Sequence, residues 1–147
     1  MPKYSKTKII NRIIDANINR TKEGLRVCEE VARFILNSRT LTAELKRIRH
    51  KIDIIFKLLP SPITLYKERE SLKDVGRNIY ANELKRRNYR DVFLANMQRV
   101  KESIRVLEEF SKLNSSNIAI EFKKIRYSIY ELEKKVIKKI SSLRSNR

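Results

Sequence analysis

The chain has 147 residues, 41% of them hydrophobic, and a formal net charge of +18 at pH 7. That length fits one domain, spanning 1–147, with a proper core, and two glycines with three prolines suit a chain that is mostly helix. No apolar run reaches membrane-spanning length, no signal peptide is visible, and a lone Cys28 rules out an internal disulfide, so the expected compartment is the cytoplasm.

In chain order, Ile14, Ile18, Leu25, Cys28, Ala32 and Ile35 recur at three- and four-residue spacing and form the apolar stripe of a first helix. Asn37-Ser38-Arg39-Thr40 offers a turn, and Thr40 or Thr42 is the expected cap of a second helix. The stripe of that helix is Leu41, Leu45, Ile48, Ile52, Ile55 and Leu59, and Pro60 and Pro62 stop it. A short helix from Ile63 to about Arg69 and a turn at Asp74-Val75-Gly76 are expected within a connector at about 60–88.

After the connector the chain repeats itself. Ala16-Asn17-Ile18-Asn19-Arg20-Thr21-Lys22-Glu23-Gly24-Leu25-Arg26-Val27-Cys28-Glu29-Glu30 returns 79 residues later, from Ala95 to Glu109, with nine of fifteen positions identical. Leu45 to Ile52 returns 77 residues later as Phe122 to Ile129, and Asn114-Ser115-Ser116-Asn117 replaces the first turn. Two copies are too few for a solenoid. The expected fold is all-α: a four-helix bundle of two repeated hairpins, at about 7–59 and 89–143, related by a pseudo-two-fold axis.

The repeat keeps polar residues as well as apolar ones, and several interrupt the core stripes. Asn17, Arg20 and Gly24 in the first copy answer to Asn96, Arg99 and Ser103 in the second. Arg49 and Arg126 sit within the stripes of the second helix of each copy. Gly inside a helix costs about 1 kcal/mol relative to Ala, so another helix or a ligand approaches closely there. Four arginines aimed at or near the interior need partners. Glu23 and Glu102 are the expected carboxylate partners, which gives a salt-bridged polar layer. The alternative is a phosphate ligand, which suits the planar guanidinium fork. Glu29-Glu30 and Glu108-Glu109 read as surface ladder partners of Arg26 and Arg105, with magnesium binding as their alternative role. Asp74, beside Gly76 in the irregular connector, is a candidate lid or metal position.

The sequence lacks a Gly-rich phosphate loop, enough histidines for a Ser-His-Asp site and a Cys/His metal cluster. Any catalysis is therefore electrostatic and positional, for which phosphoryl transfer is suited. The basic runs Lys85-Arg86-Arg87, Lys134-Lys135, Lys138-Lys139 and Arg144 to Arg147 leave nucleic-acid binding as an alternative. No helix-turn-helix or zinc-finger spacing supports it.

Several phrases together resemble a known family: Arg12 to Asn17, Arg20, Glu23 to Glu30, Asp74-Val75-Gly76, Ala95 to Glu109, Lys112-Leu113, Phe122-Lys123 and Arg126-Tyr127. They resemble the N-terminal domain of fused bacterial thiamine phosphate synthases, in order over about 12–132. The resemblance implies a monofunctional hydroxymethylpyrimidine phosphate kinase that uses ATP and magnesium to make the pyrimidine diphosphate in thiamine biosynthesis. It also implies thiamine phosphate synthase as a partner, and a non-catalytic accessory of that synthase is the rival reading. A (β/α) barrel needs strands and about 250 residues, so the synthase step itself is not expected of this sequence. Leu72-Lys73 stands where the family often has Pro-Gly.

On that implication Arg20, Arg49, Arg99 and Arg126 clamp phosphates, and Asn17 and Asn96 orient a base or phosphate. Gly24 and Ser103 make room for close approach. Glu23, Glu102 and Asp74 hold magnesium or the pyrimidine amino group. Arg20, Arg99 and Asp74 are the catalytic candidates, and a homodimer is left open.

Overall fold

The structure, a computed structural model, describes residues 5–59, 62–78 and 81–145. Among them there is no strand. The helices are α1 (Lys6–Glu30), α2 (Arg39–Leu58), α3 (Pro62–Lys67), α4 (Tyr89–Ser111) and α5 (Ser116–Ser145). Two 3-10 turns, Ser71–Lys73 and Ala81–Leu84, lie in the connector. The short helix thus starts and ends earlier than its sequence pattern suggests. Pro60, read as a helix stop, lies outside the described residues, as do Asn146 and Arg147 of the basic tail.

Side chains close the helix starts. Ser5 Oγ accepts from the Lys8 amide at 3.2 Å, Asn88 Oδ1 from the Asp91 amide at 3.0 Å, and Ser115 Oγ from the Ile118 amide at 3.3 Å. Ser38, rather than Thr40 or Thr42, caps α2, with its Oγ accepting from the Leu41 amide at 3.3 Å. Thr42 instead donates its hydroxyl to the Ser38 carbonyl at 2.6 Å.

The end of α1 departs from its apolar stripe for a clear reason. Val31–Ile35 form a π turn, and the Leu36 amide donates to the Val31 carbonyl at 2.9 Å. The extra residue in that turn shifts the helix phase. Leu36 becomes buried, while Phe34 and Ile35 face outward. Asn37 then takes φ 49°, a left-handed conformation that Asn tolerates, and the helix ends.

The other stripe residues reach the core. Leu25, Cys28, Leu45 and Ile52 are fully buried, as are Phe93, Met97, Ile104, Phe122 and Ile129 from the later helices. α1 packs most extensively on α4 and also on α2, and α5 packs on α4 and α2.

The α1–α4 contact accounts for the glycine in mid-helix. A Cβ on Gly24 would stand 2.6 Å from Val100 Cγ2 and 3.0 Å from the Asn96 carbonyl oxygen. One turn earlier, Thr21 Oγ1 and Ser103 Oγ lie 2.7 Å apart, both buried. The close approach at Gly24 and Ser103 is therefore between helices.

Candidate functional site

The repeated arginines divide into two kinds. Arg49 Nε donates to Glu29 Oε2 at 3.0 Å, across α1 and α2. Arg126 Nε and Nη2 donate to the two oxygens of Glu108 at 2.7 and 3.3 Å, across α4 and α5. Arg26 and Arg105 add a second cation to Glu29 and Glu108 from one turn away. Both glutamates are buried, so the sequence reading is reversed here. Glu29 and Glu108, taken above for surface residues, neutralise the inner arginines. Glu23 and Glu102, named as their partners, are exposed, and Glu102 instead accepts from Gln98 at 3.1 Å.

Burial works to raise the Glu108 carboxyl, but hydrogen bonds from Arg126 and then Arg105 outweigh it and hold it below the usual glutamate range. The same pairing, with a second bond to the Tyr130 hydroxyl, raises Arg126. In both pairs a buried glutamate neutralises the inner arginine.

Arg20 and Arg99 are exposed, which differs from their expected inward aim. A long flexible stem lets the charged head stay in water even when the Cα faces the flank of a bundle. Among the described residues neither meets a carboxylate. Arg20 Nη1 donates to Asn17 Oδ1 at 3.3 Å, and Asn17 Nδ2 donates to the Ile13 carbonyl at 2.8 Å. Asn96 repeats the second bond, donating to the Val92 carbonyl at 2.8 Å.

The two copies differ in what lies above them. Over Asn17 and Arg20 the connector folds back on the N-terminal half of α1, and the two enclose an open cavity of about 440 Å³. That volume falls within the range of roughly 300–1,000 Å³ typical of small-molecule sites. Asn17, Arg20 and Asp74 of the expected set line it, together with Arg12, Asp15 and Arg69. Arg49, Arg99, Arg126, Asn96, Glu23, Glu102, Gly24 and Ser103 are not among its lining residues.

Asp15 and Arg69 were missed in the sequence. Asp15 is buried, and Arg69 forks onto it, with Nε to Oδ2 at 2.8 Å and Nη2 to Oδ1 at 2.7 Å. The hydrogen bond to Asp15 raises Arg69 above the ordinary arginine value. The available signal was a break in the repeat. Asp15 directly follows Ile13-Ile14, and the matching position in the second copy is the apolar Leu94.

Asp74 is exposed, and its Oδ1 accepts from the Gly76 amide at 2.8 Å. This local turn holds the carboxylate at the cavity. Among the described residues no group of three or more His, Cys, Asp or Glu side chains is placed to hold a metal ion. A single carboxylate still suits magnesium, which is commonly held by one or two carboxylates together with substrate phosphates. No helix of the described residues is long and apolar enough to cross a membrane.

Comparison with known proteins gives a consistent set of relatives. The chain is 40% identical over 127 residues to the thiamine-phosphate synthase of Nostoc punctiforme, covering 86% of this chain and 35% of that protein. It is 40% identical over 126 residues to that of Synechocystis, covering 84% and 35%, and 37% identical over 137 residues to that of Rhodopirellula baltica, covering 90% and 36%. The chain therefore spans about a third of the length of these relatives. No solved structure is significantly similar. These relatives associate the chain with thiamine biosynthesis. With residues 12–135 matching it, the chain belongs to the ThiD2 family.

Proposed function

We propose that the chain transfers a phosphoryl group from ATP to hydroxymethylpyrimidine monophosphate, giving the diphosphate and ADP in thiamine biosynthesis. The site is the cavity between α1 and the connector. The observation that carries this reading is Arg20: a guanidinium with no carboxylate partner among the described residues, at a cavity lined by two further arginines. Family membership and the thiamine-phosphate synthase relatives support the choice of substrate.

Chemically, the bond between the β,γ-bridging oxygen and the γ-phosphorus of ATP breaks as an oxygen of the acceptor monophosphate bonds to that phosphorus. Two polyanions must approach, so the main barrier is charge and position. Arg20 supplies a fork of donors for phosphate oxygens. Asn17, tied to the Ile13 carbonyl, fixes the Arg20 head through its Oδ1. Asp74 would hold magnesium with the phosphates, and that ion would neutralise phosphate charge. Of the remaining expected residues, Gly24, Ser103, Arg49 and Arg126 act by packing the frame. Asn96, Arg99, Glu23 and Glu102 stand apart from the substrates.

We also read the four long helices as a bundle of two related hairpins. The Arg49–Glu29 and Arg126–Glu108 pairs each join an arginine Nε to a glutamate Oε2, with Arg26 or Arg105 beside the glutamate, and so repeat across the two halves. In this reading the two halves share a frame and differ at the site.

A coupled assay with purified protein, ATP and hydroxymethylpyrimidine monophosphate tests the kinase. ADP release that depends on the pyrimidine is expected, and its absence removes the reading. The relatives' names favour one second reading, an accessory of thiamine-phosphate synthase. That reading predicts tight binding to a synthase with no ADP release.

A further inference from the structure

We infer that Asp15 and Arg69 are positioning residues that seat the connector over the cavity and so bring Asp74 to the substrates; this rests on the kinase reading above. Two adjacent connector residues reach to opposite ends of one stretch of α1. Arg69 forks onto Asp15 with bonds of 2.7 and 2.8 Å, and Glu70 meets Lys8 Nζ at 3.2 Å. Lys8 and Asp15 lie seven residues apart, two helical turns along one face.

The order of charge matters. On α1 a cation precedes an anion, and on the connector the cation of Arg69 precedes the anion of Glu70. Reversing the connector's direction on α1 would set Lys8 against Arg69 and Asp15 against Glu70. The two pairs therefore fix one seat and one direction.

Burial sets their relative weights. The Asp15 side chain is 6% exposed, whereas those of Lys8 and Glu70 are 29% and 23% exposed. A bidentate pair on a buried carboxylate is the stronger tie. Arg69 also stacks on Tyr66 at 5.2 Å, and the Tyr66 ring lies 5.8 Å from that of Phe56 on α2. From this anchor the chain needs only Glu70 and the Ser71–Lys73 turn to reach Asp74. Residues 71–78 are all exposed, so no core packing of their own holds them in place. Leu94, at the matching place on α4, offers no such anchor, and only the first copy carries the seat.

Hydrogen exchange of the connector amides gives a test that does not need turnover. The amides of Lys73, Asp74, Gly76 and Arg77 are bonded within the connector. Asp15→Asn and Arg69→Gln should each speed their exchange about tenfold or more. The α4 and α5 amides should exchange as before. In the kinase assay the same variants should lower kcat and raise KM for the pyrimidine phosphate, with Arg20 unchanged. The charge exchange Lys8→Glu with Glu70→Lys should restore what Glu70→Lys alone loosens.

Unchanged connector exchange in both Asp15→Asn and Arg69→Gln overturns the proposal. So does faster exchange spread equally over α4 and α5, because Asp15 would then serve the fold and not the connector. A wild-type protein without ADP release removes the kinase reading, while the exchange result still decides whether Asp15 seats the connector.

Discussion

Arg49 and Arg126 stand at repeated positions, and each meets a buried glutamate. Arg20 and Arg99 also stand at repeated positions, and neither meets a carboxylate among the described residues. The first pair repeats because the same helix contact is made twice. The second pair repeats in sequence but not in surroundings, since connector residues line an open cavity together with Arg20. A repeated polar residue therefore signals packing when its partner repeats with it. Where only one copy gains a cavity, a ligand site is the better reading.

The largest expected effect breaks or sustains the first half of this comparison. Glu108→Ala strands Arg126, whose side chain is only 13% exposed. Removing one member of a buried pair costs about 3–5 kcal/mol. Chemical denaturation should show a loss near the lower end, with Glu29→Ala close behind. Arg20→Ala should change stability by less than about 0.5 kcal/mol, as for a surface site. Equal losses in all three would abolish the distinction between closed and open arginines.

The second half is tested by turnover. Arg20→Ala should reduce kcat/KM for the pyrimidine phosphate about 100-fold or more, the usual scale for losing a preorganised donor to developing charge. Arg99→Ala should leave it near wild type. Equal loss in both would mean that one site draws on both hairpins, as their repetition alone suggests.

Much of the fold was legible because apolar periodicity and the repeat agree. The stripes through Leu25 and Cys28 and through Leu45 and Ile52 lie where their spacing puts them. The π turn at Val31–Ile35 was not legible, since a widened turn leaves no spacing signal until the phase has already shifted. The candidate site was half legible. Asn17 and Arg20 stand out as polar residues beside the core stripe and Asp74 as an acid beside a glycine in the irregular connector, and all three line one cavity. Asp15 and Arg69 are joined by a contact across 54 residues, which no local pattern encodes. Glu29 and Glu108 were misjudged because their surface neighbours Arg26 and Arg105 supply an obvious partner at helix spacing, hiding the second partner on the next helix.

Gly24 and Ser103 belong to the packed half of the comparison, and their substitutions should cost stability before activity. Gly24→Ala drives a methyl against Val100 and the Asn96 carbonyl. Overpacking of this kind costs about 1–3 kcal/mol. Ser103→Ala should cost only about 1 kcal/mol, because Thr21 keeps its bond to the Asn17 carbonyl. A Gly24→Ala protein of full stability that fails to turn over would move Gly24 from the helix contact to the site.

The smallest effect concerns Cys28, at the centre of the packed half. Burial, and next the Glu133 carboxylate, push its thiol up to about 12 from an ordinary value of 9.0. The folded chain thus holds this proton at pH values where the unfolded chain has lost it. The stability that comes with the neutral thiol is complete below pH 9 and drains away as pH climbs toward 12. Its limiting slope is about 1.4 kcal/mol per pH unit, so by pH 10 the loss should be about 1 kcal/mol. The decisive measurement is the difference between wild type and Cys28→Ala in denaturation midpoints from pH 8 to 10. A wild-type loss steeper than that of Cys28→Ala is expected. Parallel curves would mean that the thiol reaches water, and that the α1–α4 core is looser than its buried side chains imply.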